Sequence, residues 1–474
     1  MQKNHLDTYF ISATDALKEA KKQNKVQLHK TLTGTQVCYY AGEKLKKTPS
    51  NCINVPLENI FNYFRDTENR KPETISYKNT NYDKIQRDTL TTKIIQTINQ
   101  AFLAQDKLIR EYKEKIKKNK PNFKEKKWRI FIPTSTSTSV MQHVSKHIAT
   151  TFESMGYKVL FFIEKNDLQY PSLLAQVKAH YEFNPHITIN LNHFNNTYLH
   201  KEVCNIIWIQ DPMTSLVDKQ SEVVVRPRDI IYSLAKPLDY YLENKKVPFT
   251  RQNFAINRNI YKKYKKVKRE KKIVFVGSSY LANLNENTPT ALLDEILQMF
   301  KRGLDFDEDT VQRLALKYNQ DFSYLNTRVI TFIIRDFSIM ELCKIETDYQ
   351  VEIYGWGWER YPEVKPFYKG VLKYGKEIAK VFNSATYSLS PHSGSLIQQR
   401  VLESSACGCI SIVYDCKVMD SPPFYSKNLI FYKQLSSLTK ILKSSPSRKL
   451  KRLVKKNSYE KLAKRIIREV TKII

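Results

Sequence analysis

Glycine is scarce in this chain, 11 of 474 residues, and the 18 prolines form no repeated tract. With 41% hydrophobic and 12% aromatic residues the chain can fill large cores, which excludes a collagen-like, disordered or small disulfide-framed protein. Long apolar runs are absent: none approaches the roughly 20 residues that a membrane-spanning helix needs. The N-terminus, MQKNHLDTYFISATDALKEAKK, has no apolar core of signal-peptide length. The seven cysteines are odd in number and scattered. Cys407-Gly408-Cys409 lacks the two-residue spacer of zinc or redox pairs, and no His-x-x-x-His follows it. They read as reduced, buried thiols, and the chain as a cytoplasmic protein. Acidic residues are in deficit, 47 Asp plus Glu against 78 Lys plus Arg, for a formal net charge of +31. That surplus favours polyanionic company, whether nucleic acid, an anionic membrane face or phosphorylated substrates, although a general lysine bias produces much of the same number.

What is present is alternation. Residues 1–124 show an amphipathic stretch near Thr14–Lys22, a mixed segment around QVCYYAG and a polar helix over Asp88–Lys118 that ends in a lysine run before Pro121. From Trp128, strands and helices alternate: RIFIPTS, helix VMQHVSKHIATTFESMG, YKVLFFIE, helix SLLAQVKAHYEF, HITINLN, NIIWIQ, DIIYSL and helix PLDYYLENK. The basic segment YKKYKKVKREKK interrupts the rhythm as a linker. The cycle restarts with KKIVFVGSS, helices over Pro289–Phe300 and Thr310–Lys344, strand QVEIYGWGW, helix GKEIAKVFNSA, TYSLSPH, helix SLIQQRVLESSAC, GCISIVYD and NLIFY. Such alternation predicts parallel sheets with helices on both faces. The expected organisation is an N-terminal extension, mixed or mainly helical (1–124), a first Rossmann-like doubly wound domain (125–260), a basic linker (261–272), a second such domain (273–445) and a basic C-terminal helix (446–474). Two doubly wound domains in succession predict a ligand cleft beyond the carboxyl ends of their strands.

The candidate site residues cluster between Val351 and Asp415. Gly355 and Gly357 follow a strand in YGWGW and would let a ligand approach the backbone, with Trp356 or Trp358 available to stack on a planar base. A tight turn with core tryptophans explains the same pattern. In PHSGSLIQQRVLESSACG a strand ends at His392, the small residues Ser393, Gly394 and Ser395 follow, and a helix begins. Its N-terminus suits a pyrophosphate. Arg400 and Glu403, three residues apart on one helical face, can bond phosphate oxygens and ribose hydroxyls respectively, or simply pair with each other.

These motifs, in this order, resemble GT-B glycosyltransferases of the glycosyl transferases group 1-like type, and most of all the CgeB-type (spore-maturation-like) branch. VFVGSS opens the second domain, and strand-YGxGW, GKEIAKVFNSATYSLSPH, R-x-x-E-x-x-A-C-G, NLIFY and SYEKLAKRII follow in the branch's order. IIWIQDP is similar to its W-x-x-D-D-P-type strand end. The resemblance covers residues 128–474. It implies a GT-B fold, with two Rossmann-like domains facing a cleft, a nucleotide-sugar donor held by the second domain and an acceptor held by the first. Glu403 would bind the donor ribose, the turn before its helix the diphosphate, Gly277 and Ser278 the phosphate side, and YGWGW the base. Many retaining members carry a second Glu eight positions earlier, where this chain has Ser395, so the stereochemical outcome does not carry over.

Transfer requires stabilisation of an oxocarbenium-like centre and a departing diphosphate, and an inverting enzyme also needs a base. Asp211 in IWIQDP and His193 in INLNHF, both just past strand ends, are the candidates; Asp211 is equally explained as a turn residue before Pro212. His143 on the first helix is read as structural. Asp305-Phe306-Asp307 imitates a D-x-D metal motif, but carboxylates at a helix start are capping chemistry. No metal and no other cofactor is expected.

The last helix puts Leu450, Leu453, Leu462, Ile466, Val470 and Ile473 at helical spacing among lysines and arginines. Packing against the first domain is preferred for it, with peripheral contact to an anionic membrane at its inner face as the other reading. The expected function is transfer of a sugar from a nucleotide-sugar donor to a bacterial glycan, lipid-linked or protein (flagellin-like) acceptor. The alternatives are a basic nucleic-acid-binding protein or DNA-glycosylating enzyme on the same scaffold, and a catalytically dead scaffold.

Overall fold

The computed structural model describes residues 8–11, 16, 18, 38–41, 52–67, 71–72, 74–78, 80–134, 139–163, 173–218, 220–418, 429–444 and 451–474. Most of the amphipathic stretch expected near Thr14–Lys22, and Leu450, lie outside them. Two compact units are formed by residues 1–206 with 226–229 and 474, and by residues 207–225 with 230–473.

Near the N-terminus four short strands, β1 (Thr8–Phe10), β2 (Cys38–Tyr40), β3 (Cys52–Asn54) and β4 (Thr74–Ser76), pair in parallel in the order β3-β2-β1-β4. Three-residue strands are too short to show an alternating pattern, so the sequence does not announce this sheet. It packs with the helix Lys84–Lys118, which begins before the expected Asp88 because Asp83 and Gln86 form a reciprocal capping box. Ile94, Ile98 and Ala101, one face of that helix, join Tyr9, Tyr39 and Phe64 in a core of their own.

The alternating remainder forms two Rossmann-like parallel sheets, as its pattern predicts. Strands β5 (Arg129–Thr134), β6 (Lys158–Ile163), β7 (Ile187–Leu191), β8 (Cys204–Ile209), β9 (Asp229–Ser233) and β10 (Thr250–Arg251) are ordered β10-β9-β8-β7-β5-β6. Strands β11 (Glu270–Val276), β12 (Gln350–Tyr354), β13 (Ala385–Ser390), β14 (Ile410–Tyr414) and β15 (Ile430–Tyr432) are ordered β12-β11-β13-β14-β15, with every neighbour parallel. Central strands are apolar at nearly every position, as in IVFV and ISIVY, because helices cover both faces of such a sheet.

Two local differences from the sequence reading have clear causes. Residues 270–272, assigned to the linker, belong to β11, where the buried Lys272 ammonium lies 2.9 Å from Glu270 and 3.0 Å from Glu352. The helix expected over Thr310–Lys344 is interrupted. Glu308–Lys317 ends before Asn319, whose φ of +48° is left-handed, and Asp321 then caps a new start by accepting from the Tyr324 N–H at 2.7 Å.

The C-terminal helix Tyr459–Thr471 buries Leu462, Ala463, Ile466 and Val470. Its Glu469 accepts the Tyr232 hydroxyl at 2.6 Å, and Arg465 donates to Thr250 and Gln252 at 2.8 and 2.9 Å. The helix is thereby tied to residues of β9 and β10.

Buried histidines set an acid limit. Burial pushes His147 down to about 4 and His180 down to about 3. In the unfolded chain both titrate near about 6.5. Native stability is therefore complete above that pH and falls as acid protonates the unfolded state first, by up to ~1.4 kcal/mol per pH unit for each residue. A lower urea midpoint at about pH 5 than at pH 7 is expected; equal midpoints would show that these imidazoles are not held neutral.

Candidate functional site

Sheet order decides where the site lies. β11, the first strand of its sheet in sequence, sits between β12 and β13, so the chain leaves β11 toward one side and returns on the other. Such a reversal opens a crevice beyond the carboxyl ends of the strands. Here it falls between Gly277-Ser278, which follow β11, and His392-Ser393, which follow β13.

The helix Ile330–Leu342 supplies the side chains that bind this crevice together. Thr331 and Ser393 hydroxyls are 2.6 Å apart. One turn along the same face, Arg335 donates from Nη1 to the Ser278 carbonyl at 3.4 Å, and its guanidinium lies 4.4 Å from the centre of the Tyr280 ring. Its Nε is buried and has no hydrogen-bond partner. Asp336, fully buried, accepts from the Ser279 hydroxyl (2.6 Å), the Tyr361 hydroxyl (3.0 Å) and the N–H groups of Tyr280 (3.3 Å) and Leu281 (3.1 Å). It fixes the loop leaving β11, and thus the wall against which Arg335 lies.

His392 Nδ1 accepts the Gly394 N–H at 3.0 Å. Burial, and then the positive Arg335, push this imidazole down to about 3. The ring is neutral at physiological pH, and with Nδ1 accepting, its proton falls on Nε2. The Arg335 guanidinium, near enough to depress the imidazole, and the His392 Nε2–H are both donors at this switch point, the chemistry that suits an anion.

The glycines of YGWGW have structural duties. Gly355 has φ +132°, and a Cβ there would overlap the Gly277 carbonyl oxygen. Gly277 and Gly355 are therefore the point where β11 and β12 come together backbone to backbone. Gly357, φ +86°, precedes a short turn of helix. Trp358 is wholly buried, donating Nε1–H to the Gly277 carbonyl at 2.7 Å and meeting Phe275 edge-on. Trp356 is 55% exposed beside Ser278 and Ser279, so of the two indoles only Trp356 can stack on a ligand. Gly355→Ala is expected to cost at least ~2 kcal/mol, from the left-handed backbone and the overlap together. Chemical denaturation measures it, and an unchanged midpoint would mean the two loops do not touch as described.

The turn after β13 differs from expectation. The strand ends at Ser390 and the helix Gln399–Ala406 starts only after Gln398, because Ser393 and Gly394 are bonded to Thr331 and His392 instead of entering a helical turn. Ser393 and Ser395 are buried. Arg400 and Glu403 form an ion pair farther along that helix. Glu403 has no exposed surface, and its Oε1 also accepts from Tyr374 at 3.1 Å and Gln399 at 3.2 Å. Burial and this carboxylate push the Tyr374 hydroxyl far up, so it remains a donor. A ribose reaching Glu403 would have to displace these partners.

His193 and Asp211 are exposed residues just past β7 and β8. The loop bearing His193 is shaped by Asn192 and Asn195, both with positive φ, and by bonds from Asn195 to Asn190 (2.9 Å) and Asn190 to Asn205 (2.7 Å). Asp307 accepts the Thr310 N–H at 2.9 Å as a helix cap, and among the described residues no group of three or more His, Cys, Asp or Glu could hold a metal ion. The residues that the sequence reading missed are Thr331, Arg335 and Asp336. Their signal was an adjacent Arg-Asp pair inside the largely apolar helix ITFIIRDFSIMEL.

Residues 335–471, beginning at this same arginine, match a family model described as Glycosyl transferase-like. The matched segment carries the Arg335–Asp336 pair, YGWGW, the His392 turn and the Arg400–Glu403 helix. No curated protein matches the chain. Solved structures with similar backbones include a sucrose-phosphate synthase from Thermosynechococcus elongatus (10% identity, 73% of this chain and 99% of that one, TM-score 0.46). A glycosyltransferase from Rickettsia africae has 9% identity over 74% of this chain and 99% of its own, with a TM-score of 0.45. Anabaena HepE, solved with UDP-glucose, has 9% identity over 73% and 97%, with a TM-score of 0.35.

Proposed function

We propose that this chain moves a glycosyl group from a nucleotide-sugar donor to an acceptor hydroxyl, with the donor diphosphate at the β11/β13 crevice. The observation that carries the reading is Arg335: a half-buried cation with an unused Nε, placed at the sheet's switch point inside the glycosyl transferase-like segment. As the glycosidic bond to the donor breaks, negative charge grows on the leaving diphosphate. Arg335 and the His392 Nε2–H are the donors that meet that charge in this reading. Trp356 offers its exposed face to the nucleotide base. The guanidinium offsets part of the diphosphate charge, and in this reading transfer survives chelation by EDTA, with loss of activity in EDTA as the result that would overturn metal independence. The acceptor is a glycan, lipid-linked or protein hydroxyl.

Thermal stabilisation by UDP, GDP, CMP, TDP and their sugars tests the reading, since a ligand at 100 times its Kd adds about 2.7 kcal/mol to the native state. One nucleotide family is expected to stabilise the protein. If none does while duplex DNA binds, the chain is a nucleic-acid-binding protein and the transferase reading fails. For the acceptor proton, Asp211→Asn or His193→Ala is expected to lower kcat by roughly 10²–10⁴-fold, the usual worth of a general base. Full activity in both variants would remove the pair from the mechanism.

A further inference from the structure

A second cationic site lies away from the donor crevice and rests on different residues. Where the C-terminal helix meets the end of β10, a cavity of about 230 Å³ is lined by Arg251, Lys456, Lys461 and Arg465, together with Gln252 and Ser458. No carboxylate is among the described residues that line it. Two of its four cations are fixed by the fold. Arg251 donates to Asp239 at 2.7 Å. Arg465 donates Nε–H to Glu469 at 2.8 Å and its other groups to the Arg251 carbonyl, Gln252 and Thr250 at 2.8, 2.9 and 2.8 Å. These bonds hold both guanidiniums as walls before any ligand arrives. Lys456 and Lys461, both exposed, add ammonium groups whose long stems can close on a ligand.

Asp239 and Glu469 offset the two guanidinium charges from outside the lining, so the positive surplus of the hollow comes from its ammonium groups, and a walled site screens that field less than open solvent does. The volume is below the roughly 300–1,000 Å³ of pockets for drug-sized molecules, so it suits a compact anion. We propose that this cavity binds a phosphate group, either free or as the headgroup of an anionic lipid. The proposal stands independently of the transferase reading, since none of these residues belongs to the donor crevice.

The test uses the full chain carrying Arg335→Ala, so that the donor crevice does not take up the probe, with and without Lys456→Glu and Lys461→Glu. Inorganic pyrophosphate is titrated calorimetrically, and sedimentation is measured with phosphatidylglycerol vesicles and with phosphatidylcholine vesicles. Binding of pyrophosphate that falls at least about tenfold with the double charge reversal supports a site for free phosphate, because each lost ammonium–phosphate bond is worth about that factor. Binding confined to phosphatidylglycerol vesicles, lost with the same reversal and by about 0.5 M salt, supports a headgroup site. Binding of either probe that survives the reversal, or no binding of either, overturns the proposal. Circular dichroism confirms the fold, and if the glutamates unfold the chain, Lys456→Gln with Lys461→Gln is read by the same criteria.

Discussion

Arg335→Ala is expected to lower kcat/KM for sugar transfer by roughly 10²–10³-fold, the range seen when one preorganised donor to a developing anion is removed. The effect should fall on nucleoside diphosphates and hardly on nucleosides, since Arg335 lies by Ser278 and His392, where the proposal puts the diphosphate. Arg335→Lys keeps the charge but loses the planar, multiply donating head, so an intermediate loss is expected. The fold should tolerate the change, because Arg335 holds the loop only through a long bond to the Ser278 carbonyl, whereas Asp336 holds it through three. A variant that stays folded, binds UDP or its counterpart as well as wild type and transfers sugar at the same rate would remove the diphosphate from the β11/β13 crevice.

Arg400→Met is expected to be the most damaging single change to stability, at about 3–5 kcal/mol, because it strands the Glu403 carboxylate without its cation in a site closed to solvent. The reverse change, Glu403→Gln, should cost less, since the Arg400 side chain is 30% exposed and can reach water. A double change separates this cause from lost packing. Arg400→Met combined with Glu403→Leu should recover most of the stability, as replacing both members of a buried pair usually does. A loss that the second substitution does not repair would refute the account.

Glu403→Gln also settles whether this residue serves the donor. Its carboxylate is surrounded by Arg400, Gln399 and Tyr374, and a structural role alone predicts unchanged nucleotide affinity. If affinity for the nucleotide falls while affinity for pyrophosphate does not, the ribose contact implied by the family resemblance is in use, and Tyr374 must move aside when the donor binds.

Much of this protein is written in local pattern. The strands IVFV and ISIVY, the helix periods between them and the cap at Asp307 follow from the near neighbours of each residue, which is why the two parallel sheets are legible in the amino-acid sequence alone. The motifs carrying the glycosyltransferase resemblance lie on those elements, and the chain's cationic surplus follows from composition alone. The small N-terminal sheet is not legible, because three-residue strands have no period and its pairings join residues as distant as Thr8 and Thr74. Nor is the assignment of roles around the site. Gly355 and Trp358 look like ligand contacts on paper, yet the close approach of Gly277 gives both a structural reason. Arg335 looks like one charge in an apolar helix, and only the order β12-β11-β13 brings it against Ser278 and His392, residues 57 positions apart in the first case and on another strand's end in the second. Local sequence determines which elements form. Burial, backbone approach and the switch point of the sheet belong to pairings across the chain, and those decided which side chains remain available to a ligand.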